Sequence, residues 1–278
     1  AIIAIASKYI PDTIDYLAKE KNARAFIVLS AGFSEIGAEG KQLEDKIVDT
    51  VNRVGGSLIG PNCIGMLTPR YKGTFAGPIP KLNPKGCDFV TGSGATACFI
   101  LEQAITMALS FASLFSVGNS AQIGVEEVIK HWDEKFEKGK SSEIKLIYSE
   151  QIEKPDMFLK HTRSLINKGC RIVALKAGTT EAGSRAVSSH TGALAGSDSA
   201  VDALFQKAGV VRCYSRQELL NIAAVFNVKK LHGDRLAVIT HAGGPGVMLT
   251  DTLAKENMKV PKIEGDAAEE LKQHLFHG

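Results

Sequence analysis

The stretch "CDFVTGSGATACFILEQAITMAL", Cys87 to Leu109, carries the pattern that decides the fold. A short apolar run meets a turn of small residues and then an apolar segment several helical turns long. That order reads as strand, glycine turn and helix, the repeating unit of parallel sheets. The helix has so few polar residues that burial on most of its sides is expected.

The same unit recurs on both sides of it. Toward the N-terminus, "AIIAIA" precedes a helix opening near Pro11, where proline's fixed φ suits a first turn. "AFIVLS" precedes a helix with Leu43, Ile47, Val51 and Val54 on one face, and "SLIG" ends in the turn "GPNCIG". Thr68 to Lys85 is rich in Pro, Gly and Lys and reads as a linker. Toward the C-terminus, "LFSV", "IKLIYSE" and "RIVALKAG" read as strands, with a helix around "VEEVIKHW". Ser215 and Glu218 form a capping box. Strand "RLAVIT", loop "HAGGPG" and helix "VMLTDTLAKE" then open a last series. The class is α/β, in units at 1–78, 79–230 and 231–278, the first and last incomplete. An opening in mid-strand without Met suggests an internal piece of a longer polypeptide.

Composition narrows the function. Apolar residues make up 44%, charged residues 23%, and the formal net charge is +3. The basic residues are scattered without interleaved aromatics, which argues against nucleic acid. No apolar run approaches the ~20 residues of a membrane helix. The five cysteines are widely spaced with no C-x-x-C, so neither a disulfide framework nor a metal site is indicated. A reduced, cytoplasmic, soluble protein is expected.

Familiar signatures mostly fail. "GSGATA" from Gly92 fits a dinucleotide fingerprint, but the next strand ends "FSVGNSAQ", without the acidic residue that reading needs. "GKS" at Gly139 has Glu134 where a P-loop needs glycine, and no G-x-S-x-G elbow exists. "TGSGAT" can still offer backbone N–H groups to an anion at a helix start, or serve as a tight turn. "HAGGPG" stands alike, with His241 read as a turn residue.

His190 is different. "SRAVSSHTGALAGSDSA", Ser184 to Ala200, surrounds it with hydroxyls, glycines and alanines, read as a loop. A lone histidine is usually structural, yet such neighbours pack poorly and hold phosphate oxygens well. Neutral imidazole is also a competent nucleophile near neutral pH.

Together these residues resemble the nucleoside-diphosphate-forming acyl-CoA synthetases. The similarity is to the α part of the ADP-forming acetyl-CoA synthetases in particular, and more distantly to succinyl-CoA synthetase α. It runs through "LSAGFSEIGAEG", "LIGPNCIGMLTP", "TGSGAT", "FSVGNSAQI", "YSEQI", "ALKAGTTEAGSRAVSSHTGALAGSD" and "ITHAGGPGV", in order. The resemblance implies a Rossmann-like CoA-binding unit followed by flavodoxin-like units. It implies an acid–thiol ligase interconverting acyl-CoA, ADP and phosphate with free acid, CoA and ATP. His190 would be the phosphohistidine, Glu150 the carboxylate that orients it, and Ser93 and Gly94 the helix start that holds the phosphate. Leu29, Ser30, Ala31 and Asn62 would lie at the CoA site. Cys63 is read as a packed residue.

ATP or ADP and Mg would be bound mainly by an ATP-grasp β domain or subunit, within an oligomer. Two departures are visible. No glycine-rich CoA-binding turn precedes Ala1, and Gly92 stands where relatives usually carry a longer polar residue. This stretch alone is therefore expected to bind CoA poorly or not at all, and to be inactive by itself. A ligand-sensing domain of an acetyltransferase and a succinate-CoA ligase α subunit are the alternatives. Retention of His190 and Glu150 argues against the first, and the "HAGGPG" series against the second.

Overall fold

The computed structural model describes residues 1–191, 198–228 and 232–274, without the side chains of 188–191. The chain divides into two units, Ala1–Val228 and Lys229–Gly278.

The first unit holds two sheets. β1 (Ile2–Ile3), β2 (Ala25–Val28) and β3 (Ser57–Ile59) form a parallel sheet in that order. The crossovers are α1 (Ile10–Glu20), with Pro11 in its first turn, and α2 (Ala38–Arg53). Ile10, Ile14, Ile47 and Val51 close a core with Phe26, Val28 and Leu58. Leu43 and Val54 pack against it, as the spacing of four, four and three requires.

The second sheet takes β4 (Gly65–Thr68), β5 (Tyr71–Thr74), β6 (Leu82–Thr91), β7 (Phe111–Ser116), β8 (Ile144–Ser149), β9 (Arg171–Lys176) and β10 (Val211–Cys213). Its order is β10-β9-β8-β6-β7-β4-β5. Strands β10 to β7 run parallel, and the β4–β5 hairpin closes one edge antiparallel. The five parallel strands have the doubly wound flavodoxin order, in which the chain leaves β6 in both directions.

Successive side chains point to opposite faces. Phe89, Leu146, Val173 and Leu175 meet α3 (Gly94–Thr106) and α8 (Arg216–Asn227) on one side. Val90, Ile147, Ile172 and Ala174 meet α4 (Val125–Glu134), α5 (Pro155–Asn167) and α7 (Asp198–Ala208) on the other. Strands buried on both faces are why the sequence shows continuous apolar runs.

Within the first unit, four details differ from the sequence reading. The Thr68–Lys85 stretch is no plain linker: it contains β5 and the start of β6. The β4–β5 hairpin therefore belongs to the second sheet, although it falls within 1–78. Helix α3 buries Ala97, Ile100, Leu101 and Ala104 but leaves Phe99 54% exposed, so only one face is covered. The supposed loop around His190 begins as a helix, α6 (Glu181–Thr191). Thr180 caps it by accepting the Gly183 N–H at 3.0 Å, and Arg185 pairs with Glu181 one turn back. Ala and Ser in its body do not oppose helix once it is capped.

The second unit contains α9 (Gly243–Lys255) and α10 (Asp266–Lys272). "RLAVIT" makes only an isolated bridge, Arg235 to Lys259, in place of the expected strand, because no described neighbour extends the ladder. No helix among the described residues is long and apolar enough to cross a membrane.

Candidate functional site

In an open parallel sheet, the crevice beyond the carboxyl ends of the strands opens where strand order reverses. Here that point lies between β6 and β8, and a cavity of about 100 Å³ sits there. Gly92 enters it after β6, Asn119 after β7 and Glu150 after β8; Ser34 and Asn62 come from the first sheet.

Two kinds of tie hold these loops together. Asn119 donates its backbone N–H to the Pro61 carbonyl at 3.0 Å. Its side-chain amide donates to Ser34 Oγ and Glu44 Oε2, each at 3.1 Å, and to Glu35, and accepts from Asn62 Nδ2 at 3.3 Å. Glu44, 2% exposed, also takes the Ser34 hydroxyl at 2.6 Å and Lys41 at 3.0 Å. A buried carboxylate is tolerated only with such a donor set. Gly118 makes the close approach possible. It has φ +56°, and a Cβ there would stand 2.1 Å from the Pro61 carbonyl oxygen.

Helix α3 starts at the cavity's edge. Ser93 Oγ accepts the Thr96 N–H at 3.3 Å, so Ser93 is its N-cap. The N–H groups of Gly94 and Ala95 then have no partner within the helix. Gly94 must lack a side chain, since a Cβ would meet Ile64 Cγ2 at 2.6 Å. The first turn of α3 carries no acid, whereas α4, whose start also borders the cavity, carries Glu126 and Glu127. The dipole of α4 is thus answered internally, and that of α3 stays available to an anion.

The β8 end supplies carboxylates. Ser149 Oγ accepts the Gln151 N–H at 3.2 Å and donates to the Gln151 carbonyl, shaping the turn that carries Glu150. Tyr148 Oη lies 3.5 Å from Glu150 Oε1; burial, then the Glu150 charge, pushes the phenol pKa up. Glu126 accepts the Glu153 N–H at 2.8 Å and clamps the same loop. Burial, then the neighbouring Glu126, raises the Glu153 pKa above its ordinary value. Glu35 goes the other way: burial raises it, but donation from Asn119 and the Gly32 and Phe33 amides outweighs that and holds it low. Glu127 is lowered likewise, by Lys154 and the Gly124 amide against burial.

The structure thus brings Asn62 and Glu150 into one cavity, with Ser93 and Gly94 following Gly92 at its rim. Leu29, Ser30 and Ala31 leave β2 beside it without lining it. The Ser30 carbonyl accepts the Asn62 N–H at 2.9 Å, and its hydroxyl is spent on the Ile5 carbonyl at 2.6 Å. Cys63 is buried, and desolvation pushes its thiol to about 11, which suits packing and not nucleophilic attack. The His190 side chain lies outside the described residues, but its helix α6 comes within 8 Å, Cα to Cα, of the Ser34–Ile36 turn. Asn119, Glu35, Glu44, Glu126 and Glu153 were not singled out by sequence; only the turn "VGNSAQ" at a strand end hinted at them. Among the described residues, no group of three or more His, Cys, Asp or Glu could hold a metal ion.

Residues 84–226 match the family described as the succinyl-CoA ligase like flavodoxin domain. The chain belongs to that family. The α subunit of acetate–CoA ligase [ADP-forming] II from Pyrococcus furiosus is 32% identical over 277 residues, covering 99% of this chain and 59% of that protein. Acetate–CoA ligase [ADP-forming] from Methanocaldococcus jannaschii is 33% identical, with 99% and 38% covered. A solved dinucleotide-forming acetyl-coenzyme A synthetase 1 from Ca. Korarchaeum cryptofilum, in complex with phosphate and ADP, superposes with a TM-score of 0.80 at 28% identity. It covers 98% of this chain and 58% of that one, so the family member spans part of the length of these relatives.

Proposed function

We propose that this chain is the α-type part of an ADP-forming acyl-CoA ligase, and that His190 carries a phosphoryl group between its half-reactions. The observation that carries this reading is the cavity at the β6–β8 switch point. It joins Glu150 and the acid-free start of α3, and the helix bearing His190 runs past its Ser34 side.

The residues fit the chemistry. In the first step phosphate displaces CoA from acyl-CoA, giving an acyl phosphate and the free thiol. An imidazole nitrogen then attacks phosphorus; an N–P bond forms, the acyl O–P bond breaks, and the carboxylate leaves. Transfer to ADP forms the new O–P bond of ATP and returns neutral imidazole. Glu150 accepts a hydrogen bond from the ring's second nitrogen, fixing the tautomer and stabilising the charged ring. Gly94 and Ala95 N–H groups receive phosphoryl oxygens.

One helix start favours an anion by only ~0.3–1 kcal/mol, up to ~2 when partly buried. The carboxylates around the cavity oppose a phosphoryl dianion. A cation is therefore required alongside it, supplied as Mg with the nucleotide on an ATP-grasp partner domain or subunit. CoA would lie toward Leu29–Ala31 and Asn62, where the first sheet's strand ends meet the cavity's edge. The full-length protein with its ATP-grasp part, incubated with labelled ATP and Mg, should form acid-labile, base-stable phosphoprotein. Label that forms equally in His190→Ala overturns the proposal.

A further inference from the structure

Glycine is required where the backbone turns left-handed or where a neighbouring segment leaves no room for a Cβ. Around the cavity, Gly118 meets both demands, with φ +56° and a Cβ position 2.1 Å from the Pro61 carbonyl oxygen. Gly94 meets the second, its Cβ position lying 2.6 Å from Ile64 Cγ2. Even Gly124 and Gly183 would press on neighbours, at 3.3 and 3.2 Å. Among the described glycines of Ala1–Val228, Gly92 alone meets neither demand. Its φ lies outside the left-handed region, and the nearest atom to a Cβ there is the Gly118 carbonyl oxygen, at an ordinary 3.8 Å. An L-residue fits at 92 without strain, so neither turn nor packing accounts for the glycine.

What the missing side chain does is leave space. Gly92 and Gly118 both line the cavity at the switch point, so a side chain at 92 would enter it. The cavity's volume of about 100 Å³ holds several water-sized groups, at roughly 10–15 Å³ each. That is room for one short chain, and a glutamine-sized side chain at 92 would occupy much of it. The lining also limits charge. Among the described residues its charged side chains are Glu126, Glu150 and Glu153, with no Lys, Arg or His. A second carboxylate at the far end of an acid would face that negative charge with no cation of the lining to answer it.

We propose that Gly92 sets the acyl specificity: the space over it takes the uncharged carbon chain of a monocarboxylic acid longer than acetate, and a dicarboxylic acid is excluded. This rests on the ligase reading and narrows its substrate. An acyl phosphate whose phosphoryl oxygens meet the Gly94 and Ala95 N–H groups would lay its chain beside Gly92. The residue acts only by the room it leaves, so its effect is a ratio between acids and not an absolute rate.

The full-length protein with its ATP-grasp part would be assayed for thioester formation with acetate, butanoate and succinate. In the wild type, kcat/KM for butanoate should equal or exceed that for acetate. Succinate should fall about tenfold or more below butanoate, and Gly92→Gln should lower the butanoate-to-acetate ratio about tenfold or more, the range one or more methylenes command in a closed pocket. A variant that is only unstable lowers both acids together and leaves the ratio alone. Gly92→Ala should melt no lower than the wild type, because its backbone suits an L-residue. A wild type that prefers acetate, succinate used nearly as well as butanoate, or a smaller fall of the ratio in Gly92→Gln overturns the inference. So does a Gly92→Ala variant that melts below the wild type, which would make this a packing glycine. Phosphorylation of His190 from ATP needs no acid and separates the two claims. With phosphohistidine formed in the wild type, those outcomes sink the substrate assignment alone; with none formed, the ligase reading falls and takes this inference with it.

Discussion

Replacing Gly118 by alanine tests how the two sheets are joined at the site. The residue has φ +56°, and an added Cβ would lie 2.1 Å from the Pro61 carbonyl oxygen and 2.5 Å from that of Asn62. Left-handed backbone costs an L-residue about 1–2 kcal/mol. Relieving the overlap adds about 1–3 kcal/mol, because backbone and not a flexible side-chain end must move. Gly139 supplies the control: its φ is +81° and nothing lies within 4 Å of its Cβ position. Gly118→Ala should therefore melt below Gly139→Ala by the overlap alone, roughly 2–12 °C for a chain of this size. Thermal unfolding followed by circular dichroism reads both. If the two variants melt together, the loops after β3 and β7 are not in contact and do not join at the cavity.

Ser93→Ala removes the N-cap of α3 and should cost about 1 kcal/mol, while Ser93→Gly costs only a few tenths; denaturant midpoints compare them. Two carboxylates should respond to pH with opposite signs. Glu35 has a lowered pKa, so its stabilisation is present above the ordinary value of 4.5 and is lost as pH falls through the depressed one. Glu35→Gln is thus destabilising at neutral pH, and the difference closes in acid. Glu153 has a raised pKa, so its contribution is full below 4.5 and is lost as pH rises through the folded value. Glu153→Gln should stabilise at neutral pH and lose that advantage in acid; urea unfolding at several pH values reads both pairs. Cys63, pushed up to about 11, should resist alkylation at pH 8 in native protein and react in urea.

Much of the fold was legible because burial on both faces writes itself into sequence. β6, β8 and β9 appear as apolar runs, and the Ile47–Val51 face of α2 shows helical spacing. The Ser215 cap is present, accepting the Glu218 N–H at 3.1 Å; the Glu218 carboxylate answers Tyr214 N–H and not that of Ser215. The β4–β5 hairpin was hidden because an edge strand needs neither an apolar run nor freedom from glycine. Helix α6 was hidden by its Ser and Gly content, which masked the Thr180 cap. At the site, Asn62, Ser93 and Glu150 stand at strand or helix ends, where sequence order predicts convergence. Asn119 meeting Glu44 is a contact between residues 75 apart in sequence, set by packing of one sheet's loops on the other's. No local pattern encodes it.

The most direct measurement is peptide mapping of full-length protein after incubation with ATP and Mg, quenched under alkaline conditions that preserve phosphohistidine. A single phosphoryl group on His190, discharged on adding ADP, is the predicted result. Phosphate on another residue, or none on His190 while the enzyme still turns over, would contradict the account.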